Sequence, residues 1–163
     1  MKAILKINGK EIEVEVSEDQ IEKMTKKKNP FERVAICQKY FYIGILGDIG
    51  TFTERNDAND KLAYSIANYC TDKDLIQQQA WRETLNRLLW RWQYENDEPI
   101  KWQTLTDQKF AIHYDFVDEE FFVCVFYGSY KSGDVHFTTK EKAEQAIEEV
   151  VKPFMAEHPD FVW

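Results

Sequence analysis

One pattern occurs twice in this chain, and it restricts what the chain can fold into. Tyr69-Cys70-Thr71-Asp72-Lys73-Asp74 and His136-Phe137-Thr138-Thr139-Lys140-Glu141 each pass from apolar or aromatic residues into a threonine with an acid three positions on. A threonine so placed accepts a backbone N–H from the first turn of a helix, and the acid reaches back to the threonine's own N–H. Each stretch therefore ends an extended region and opens a helix, with Thr71 and Thr138 as the expected caps. Upstream of each lies an aromatic strand-like run, Lys39-Tyr40-Phe41-Tyr42-Ile43 and Lys109-Phe110-Ala111-Ile112-His113-Tyr114. The pattern predicts two strand–strand–helix units, over residues 31–98 and 105–158, within one globule spanning 31–163.

Residues 1–30 form a separate N-terminal piece. Ala3 to Ile7, then Asn8-Gly9, then Glu11 to Val16 is a hairpin signal, since Asn-Gly suits the positive-φ positions of a type I′ turn. Strict alternation sends Ile12, Val14 and Val16 to one face and Glu11, Glu13 and Glu15 to water. Ser17 with Gln20 is a capping box for a short helix that ends on Lys26-Lys27-Lys28, where lysines complement the helix dipole.

Within the larger part, residues 33–54 read as two or three strands punctuated by Gly44, Gly47 and Gly50, and 56–60 as a polar turn. A helix from Asp72 to about Asn96 is the longest element. Ala80, Trp81, Leu85, Leu88, Leu89 and Trp92 fall at three- and four-residue steps and make one apolar stripe. A second hairpin turns at Asp118-Glu119, and a last helix runs through Phe154, with Pro153 kinking it or marking its final turn. The tail ends in Phe161 and Trp163, both expected to pack. The fold class is α+β: an N-terminal hairpin and short helix, then two strand–strand–helix units with antiparallel sheets covered by helices.

Charge narrows the partners. The net charge is −8, and residues 101–163 hold six Lys/Arg against twelve Asp/Glu, or −6. A sequence-specific DNA reader carries the opposite sign. This acidity either keeps the surface solvated or docks on a basic partner, in a site meant for nucleic acid. Three widely spaced cysteines, Cys37, Cys70 and Cys124, in apolar or aromatic runs fit buried reduced thiols in a cytoplasmic protein. The N-terminal stretch is too short and alternating for a signal peptide, and no apolar run approaches the ~20 residues of a membrane helix.

No enzymatic signature emerges. Neither the cysteines, Ser65, Ser129 nor the three histidines sit in a nucleophile elbow. The histidines are isolated and no Cys-x-x-Cys pair exists, so neither metal nor cofactor is expected. Asp57, Asn59 and Asp60 resemble a calcium loop only superficially, without its central glycine and closing glutamate. Asp115, Asp118, Glu119 and Glu120 cluster on one hairpin, but nothing nearby supplies a partner of opposite role.

The long helix offers a binding surface. Arg82, Asn86 and Trp90 fall on one line, with Arg87 and Arg91 on a neighbouring one, away from the apolar stripe. An exposed tryptophan beside arginines has the composition of an interface hot spot. Alternatively Trp90 is buried beneath the sheet and the arginines pair with the acidic hairpins.

Tyr40-Phe41-Tyr42-Ile43, Asn68-Tyr69-Cys70-Thr71-Asp72-Lys73, Leu88-Leu89-Trp90-Arg91-Trp92, Lys109-Phe110-Ala111-Ile112 and Phe137-Thr138-Thr139-Lys140-Glu141-Lys142-Ala143 together give a further lead. Over residues 31–150 the sequence resembles small accessory proteins of phages and prophages of Gram-positive bacteria. That resemblance implies cargo among which inhibitors of bacterial immunity, including anti-CRISPR proteins, are common. The expected function is non-enzymatic: blocking a host defence protein or ribonucleoprotein through Asp115, Asp118, Glu119 and Glu120, with Trp90 as an anchor. A nucleotide-sequestering protein using Arg87 and Arg91, or a structural or regulatory phage protein, are the alternatives.

Overall fold

The computed structural model describes residues 2–7, 10–15, 17, 29–102, 106–127 and 133–163. Strands β1 (Lys2–Ile7) and β2 (Lys10–Glu15) form the first antiparallel hairpin, in register from Lys2↔Glu15 to Ile7↔Lys10. The Asn8-Gly9 turn, the inward face expected of Ile12, Val14 and Val16, and the Ser17-capped helix lie outside the described residues.

Strands β3 (Lys39–Ile43) and β4 (Ile49–Thr53) pair antiparallel, and Phe41 of β3 bridges on its other side to Cys70. Two glycines here show why a side chain would not fit. Gly47 takes φ +86° in the turn, and a Cβ on Gly50 would fall 2.3 Å from the Tyr42 ring, which stacks on Phe52 at 4.4 Å. Strands β5 (Gln108–Asp115) and β6 (Glu120–Tyr127) form the next hairpin, and β5 also pairs with β7 (His136–Phe137) through Phe110↔Phe137 and Ala111↔His136. The two units thus share a layout. The first strand of each hairpin is central, and it is flanked by the second strand and by the residue two before a helix cap.

Both helix starts sit one residue later than the threonines. Asp72 caps α2 (Lys73–Asn96), accepting from the amides of Asp74 and Leu75. Thr139 caps α3 (Lys140–Ala146), accepting from the amide of Lys142 at 3.2 Å. Thr71 instead gives its N–H and hydroxyl to the Pro30 carbonyl. Thr138 gives both of its groups to the Asp97 carboxylate, its N–H at 2.8 Å. A neighbouring residue with an equally good acceptor caps the helix, which frees each threonine to tie the helix start to a distant segment.

The polar turn expected over 56–60 opens a helix, α1 (Ala58–Ser65). Asp57 caps it, and Asp60 returns a bond to the Asp57 N–H at 3.2 Å, completing a capping box.

Helix α2 serves both units. Ile76 and Ala80, in its N-terminal half, are buried where α2 contacts β3 and β4. Its C-terminal half sends Leu85, Leu89 and Trp92 into a core with Val135, Phe137, Ala143, Ala146, Val151, Phe154 and Phe161. On β5, Phe110 and Ile112 face that core, while Lys109, Ala111 and His113 face the other side. After α3 the chain widens into a π turn (Ile147–Val151) before α4 (Lys152–Glu157). Pro153 has no N–H to give the helix, and it sits at the start of α4, directly after the widened turn. The tail packs as expected. Phe161 is buried, Trp163 meets Phe121 edge-on at 5.1 Å, and Gln78 of α2 bonds to the backbone of both Asp160 and Val162.

Candidate functional site

The first unit encloses a polar interior that the sequence did not announce. Glu54 and Asp60 are 1% and 3% exposed, beside the buried rings of Tyr40 and Tyr69, which stack at 3.9 Å. Arg33 grips Glu54 with Nε at 3.1 Å and a second nitrogen at 2.7 Å, the Tyr69 hydroxyl donates at 2.9 Å, and the Asn56 amide at 2.8 Å. Asp60 accepts from the Tyr40 hydroxyl at 2.8 Å and from the amides of Arg55 and Asp57. The Arg33 guanidinium holds the Glu54 carboxyl below the usual carboxylate range, although burial opposes it. Burial alone raises Asp60, but the Arg55 amide, the Tyr40 hydroxyl and the Asp57 amide outweigh it and leave it lowered. Every carboxylate oxygen is engaged, so these groups act as ties rather than as a proton-transferring pair.

The predicted acidic residues come together at the β5–β6 turn. Asp115 accepts from the amides of Val117 at 2.7 Å and Asp118 at 3.3 Å, which pins residues 116–119, and Glu119 takes φ +54°. Glu120 lies directly across from Asp115, and Asp118, Glu119 and Glu120 are exposed. On the same turn, between Asp115 and Asp118, stand two apolar residues the sequence reading overlooked, Phe116 at 64% and Val117 at 90% exposure. The equivalent turn of the first unit carries Ile45 and Leu46, also projecting into solvent. Consecutive apolar residues in a loop between two strands were the available signal.

Trp90 is half exposed, so it is not buried beneath a sheet. With Tyr94, Pro99, Ile100, Trp102 and His136 it lines a cleft of about 480 Å³. Arg87 bonds to Thr84 at 3.0 Å and pairs with Glu83 at 3.8 Å on its own helix, rather than with the acidic hairpin. Neither Arg87 nor Arg91 lines this cleft or the neighbouring one of about 510 Å³, where Arg82 and Asn86 meet His113 and Tyr114 of β5. The line Arg82–Asn86–Trp90 is therefore divided between the two clefts, Arg82 and Asn86 in one and Trp90 in the other, and Arg87 and Arg91 line neither.

The cysteines divide. Cys70 is buried, and burial pushes its thiol up. Cys124 is half-buried, and Cys37 is exposed at φ +71° in the loop before β3, contrary to the expectation of three buried thiols. Burial pushes the His136 imidazole down, and its Nδ1 lies 3.2 Å from the Asp134 carbonyl. Among the described residues no group of three His, Cys, Asp or Glu side chains is arranged to hold a metal ion, and no helix is long and apolar enough to cross a membrane. No family model, curated protein or solved structure matches this chain.

Proposed function

We propose that the chain acts by binding: a phage-derived, non-enzymatic inhibitor that occupies a basic site on a component of bacterial immunity, a protein or ribonucleoprotein, in the host cytoplasm. The observation that carries this reading is the β5–β6 tip. A turn pinned by Asp115 presents the exposed Phe116 and Val117 beside Asp115, Asp118, Glu119 and Glu120. Preorganised loops lose little entropy on binding, apolar anchors supply affinity, and surrounding charge supplies steering toward a basic surface. The half-exposed Trp90 offers a second anchor.

Affinity capture from a bacterial lysate identifies the partner, and the tip is then tested against it. Reversing Asp118, Glu119 and Glu120 to lysine should slow association and flatten its salt dependence, because exposed charges are screened beyond about 8 Å. Phe116→Ser with Val117→Ser should speed dissociation. A partner that binds both variants as tightly as the parent refutes the reading. The nucleotide-sequestering alternative requires Arg87 and Arg91 to hold phosphate, and neither lines the two clefts described above.

A further inference from the structure

Among the described residues, strand β6 lies at the edge of its sheet, whose order is β6-β5-β7. Natural edges are protected by charge, proline, bulges or shortness, because an unpaired row of N–H and C=O groups recruits other strands. Strand β6 has none of these over its last seven residues. Phe121-Phe122-Val123-Cys124-Val125-Phe126-Tyr127 carries no charge and no proline, and its register against β5 runs unbroken from Phe121↔Tyr114 to Tyr127↔Gln108. Phe122, Val125 and Tyr127 are each more than 40% exposed.

The segment is also a palindrome about Cys124. Val123 mirrors Val125, Phe122 mirrors Phe126, and Phe121 mirrors Tyr127. We infer that β6 pairs antiparallel with β6 of a second copy of this chain, across a two-fold axis at Cys124, to make one continuous six-stranded sheet. An isologous two-fold sets each residue opposite its mirror position and keeps both on the same sheet face. Only a palindromic strand then places like against like throughout: Val123 on Val125, Phe122 on Phe126, Phe121 on Tyr127, and Cys124 on itself. Aromatic and β-branched cross-strand pairs are the stabilising ones. The register also places Glu120 just outside the uncharged run. The two acidic tips end at opposite ends of the joint sheet, separated by the length of a seven-residue strand, about 24 Å, well past the screening length of about 8 Å.

Sedimentation and oxidative cross-linking test this on the full chain. The parent should sediment at twice the 19.4 kDa chain mass, and Val125→Lys, which puts a charge on an exposed position of the strand, at the single mass with an unchanged circular dichroism spectrum. In a Cys37→Ser background, mild oxidation should give a covalent dimer that Cys124→Ser abolishes. Cα atoms facing each other across antiparallel strands lie about 4.5–5.5 Å apart, inside the range a disulfide spans. A parent that stays monomeric, or a dimer that survives Val125→Lys, overturns the inference. A dimer without the Cys124 cross-link overturns the two-fold register. If Val125→Lys fails to fold, the cross-link in the Cys37→Ser chain decides alone.

Discussion

Replacing Tyr69 with phenylalanine isolates one hydroxyl in the polar interior of the first unit. The ring is 1% exposed and stacked on Tyr40 at 3.9 Å with the planes 18° apart, and phenylalanine keeps that contact. The hydroxyl donates to Glu54 at 2.9 Å and accepts from the Val34 amide at 3.1 Å. Hydrogen bonds to ionised groups contribute about 1.5–3 kcal/mol, and a buried donor left without an acceptor costs about 1–3 kcal/mol. Glu54 keeps Arg33 and the Asn56 amide, and Val34 is only half-buried, so the sum falls near the lower bounds, at about 2–3 kcal/mol. For a chain of this length that lowers Tm by roughly 4–12 °C. Tyr40→Phe is the internal comparison. It removes one bond from Asp60, which retains two backbone amides, so its loss should be about 1 kcal/mol smaller. Urea unfolding followed by tryptophan fluorescence measures both, with the slope checked for two-state behaviour. A Tyr69→Phe chain within about 0.5 kcal/mol of the parent would refute the claim that this buried network is tightly hydrogen-bonded.

Three further outcomes follow from the same structure. Burial and the bond to Glu54 push the Tyr69 hydroxyl up to about 12, and burial with Asp60 raises Tyr40 further. Both folded values exceed the unfolded one, so their contribution is intact below about pH 10 and is lost as the pH climbs through the folded values; absorbance at the tyrosinate band should show two groups silent until the protein unfolds. A thiol reagent added to native protein should modify Cys37 at once, Cys124 slowly and Cys70 only on unfolding, and a fast-reacting Cys70 would contradict its burial. Asp72→Ala and Thr139→Ala should each cost about 1 kcal/mol through loss of a helix cap, whereas Thr71→Ala should leave the start of α2 unchanged by amide exchange.

The helix starts show how far the sequence could be read. Thr-x-x-acid located both helices to within a residue, because capping is local and is written in adjacent side chains. Which acceptor caps depends on where the other one goes, and Pro30 and Asp97 lie 41 residues from the threonines they bind. The same grammar was present at Asp57-x-x-Asp60, but with aspartate in place of the usual glutamate, so α1 looked like a turn. The long helix's stripe was legible from period alone, as was the acidic hairpin. Exposure was not. Trp90 sits on a flank whose covering depends on loops remote in sequence, and Cys37 lies in an apolar stretch that happens to be a loop. The Arg33–Glu54–Tyr69 network joins residues 15 to 36 apart with no periodic signature, and nothing in the local pattern distinguishes Glu54 from a solvated strand-end acid.

The two units share a layout but fill it differently, and that difference should appear under acid. The first is tied by carboxylates, Glu54 and Asp60, both lowered below their ordinary values while buried. A lowered folded value contributes stability that is present above the unfolded value, near pH 4, and is lost as the pH falls through the folded one. The core of the second unit is closed by Leu85, Leu89, Trp92, Phe137, Val151 and Phe154, none of which titrates, and its own lowered carboxylates, Glu141 and Glu149, lie at the surface. But the buried His136 on β7, lowered by burial, also loses its contribution as the pH falls, so the β5–β7 pairing is acid-sensitive too. Because α2 gives Ile76 and Ala80 to the first unit and its C-terminal half to the second, the first can loosen while the second stays packed. Hydrogen exchange at about pH 3, below the unfolded carboxylate range, should therefore strip protection from Tyr40 to Ile43 and from the amides near Asp60 and weaken the β5–β7 pairing at Ala111 and His136, while Leu85 to Trp92 stay protected. Uniform loss across both units would mean that α2 couples them into a single cooperative body and that the buried carboxylates do not set the acid limit of either.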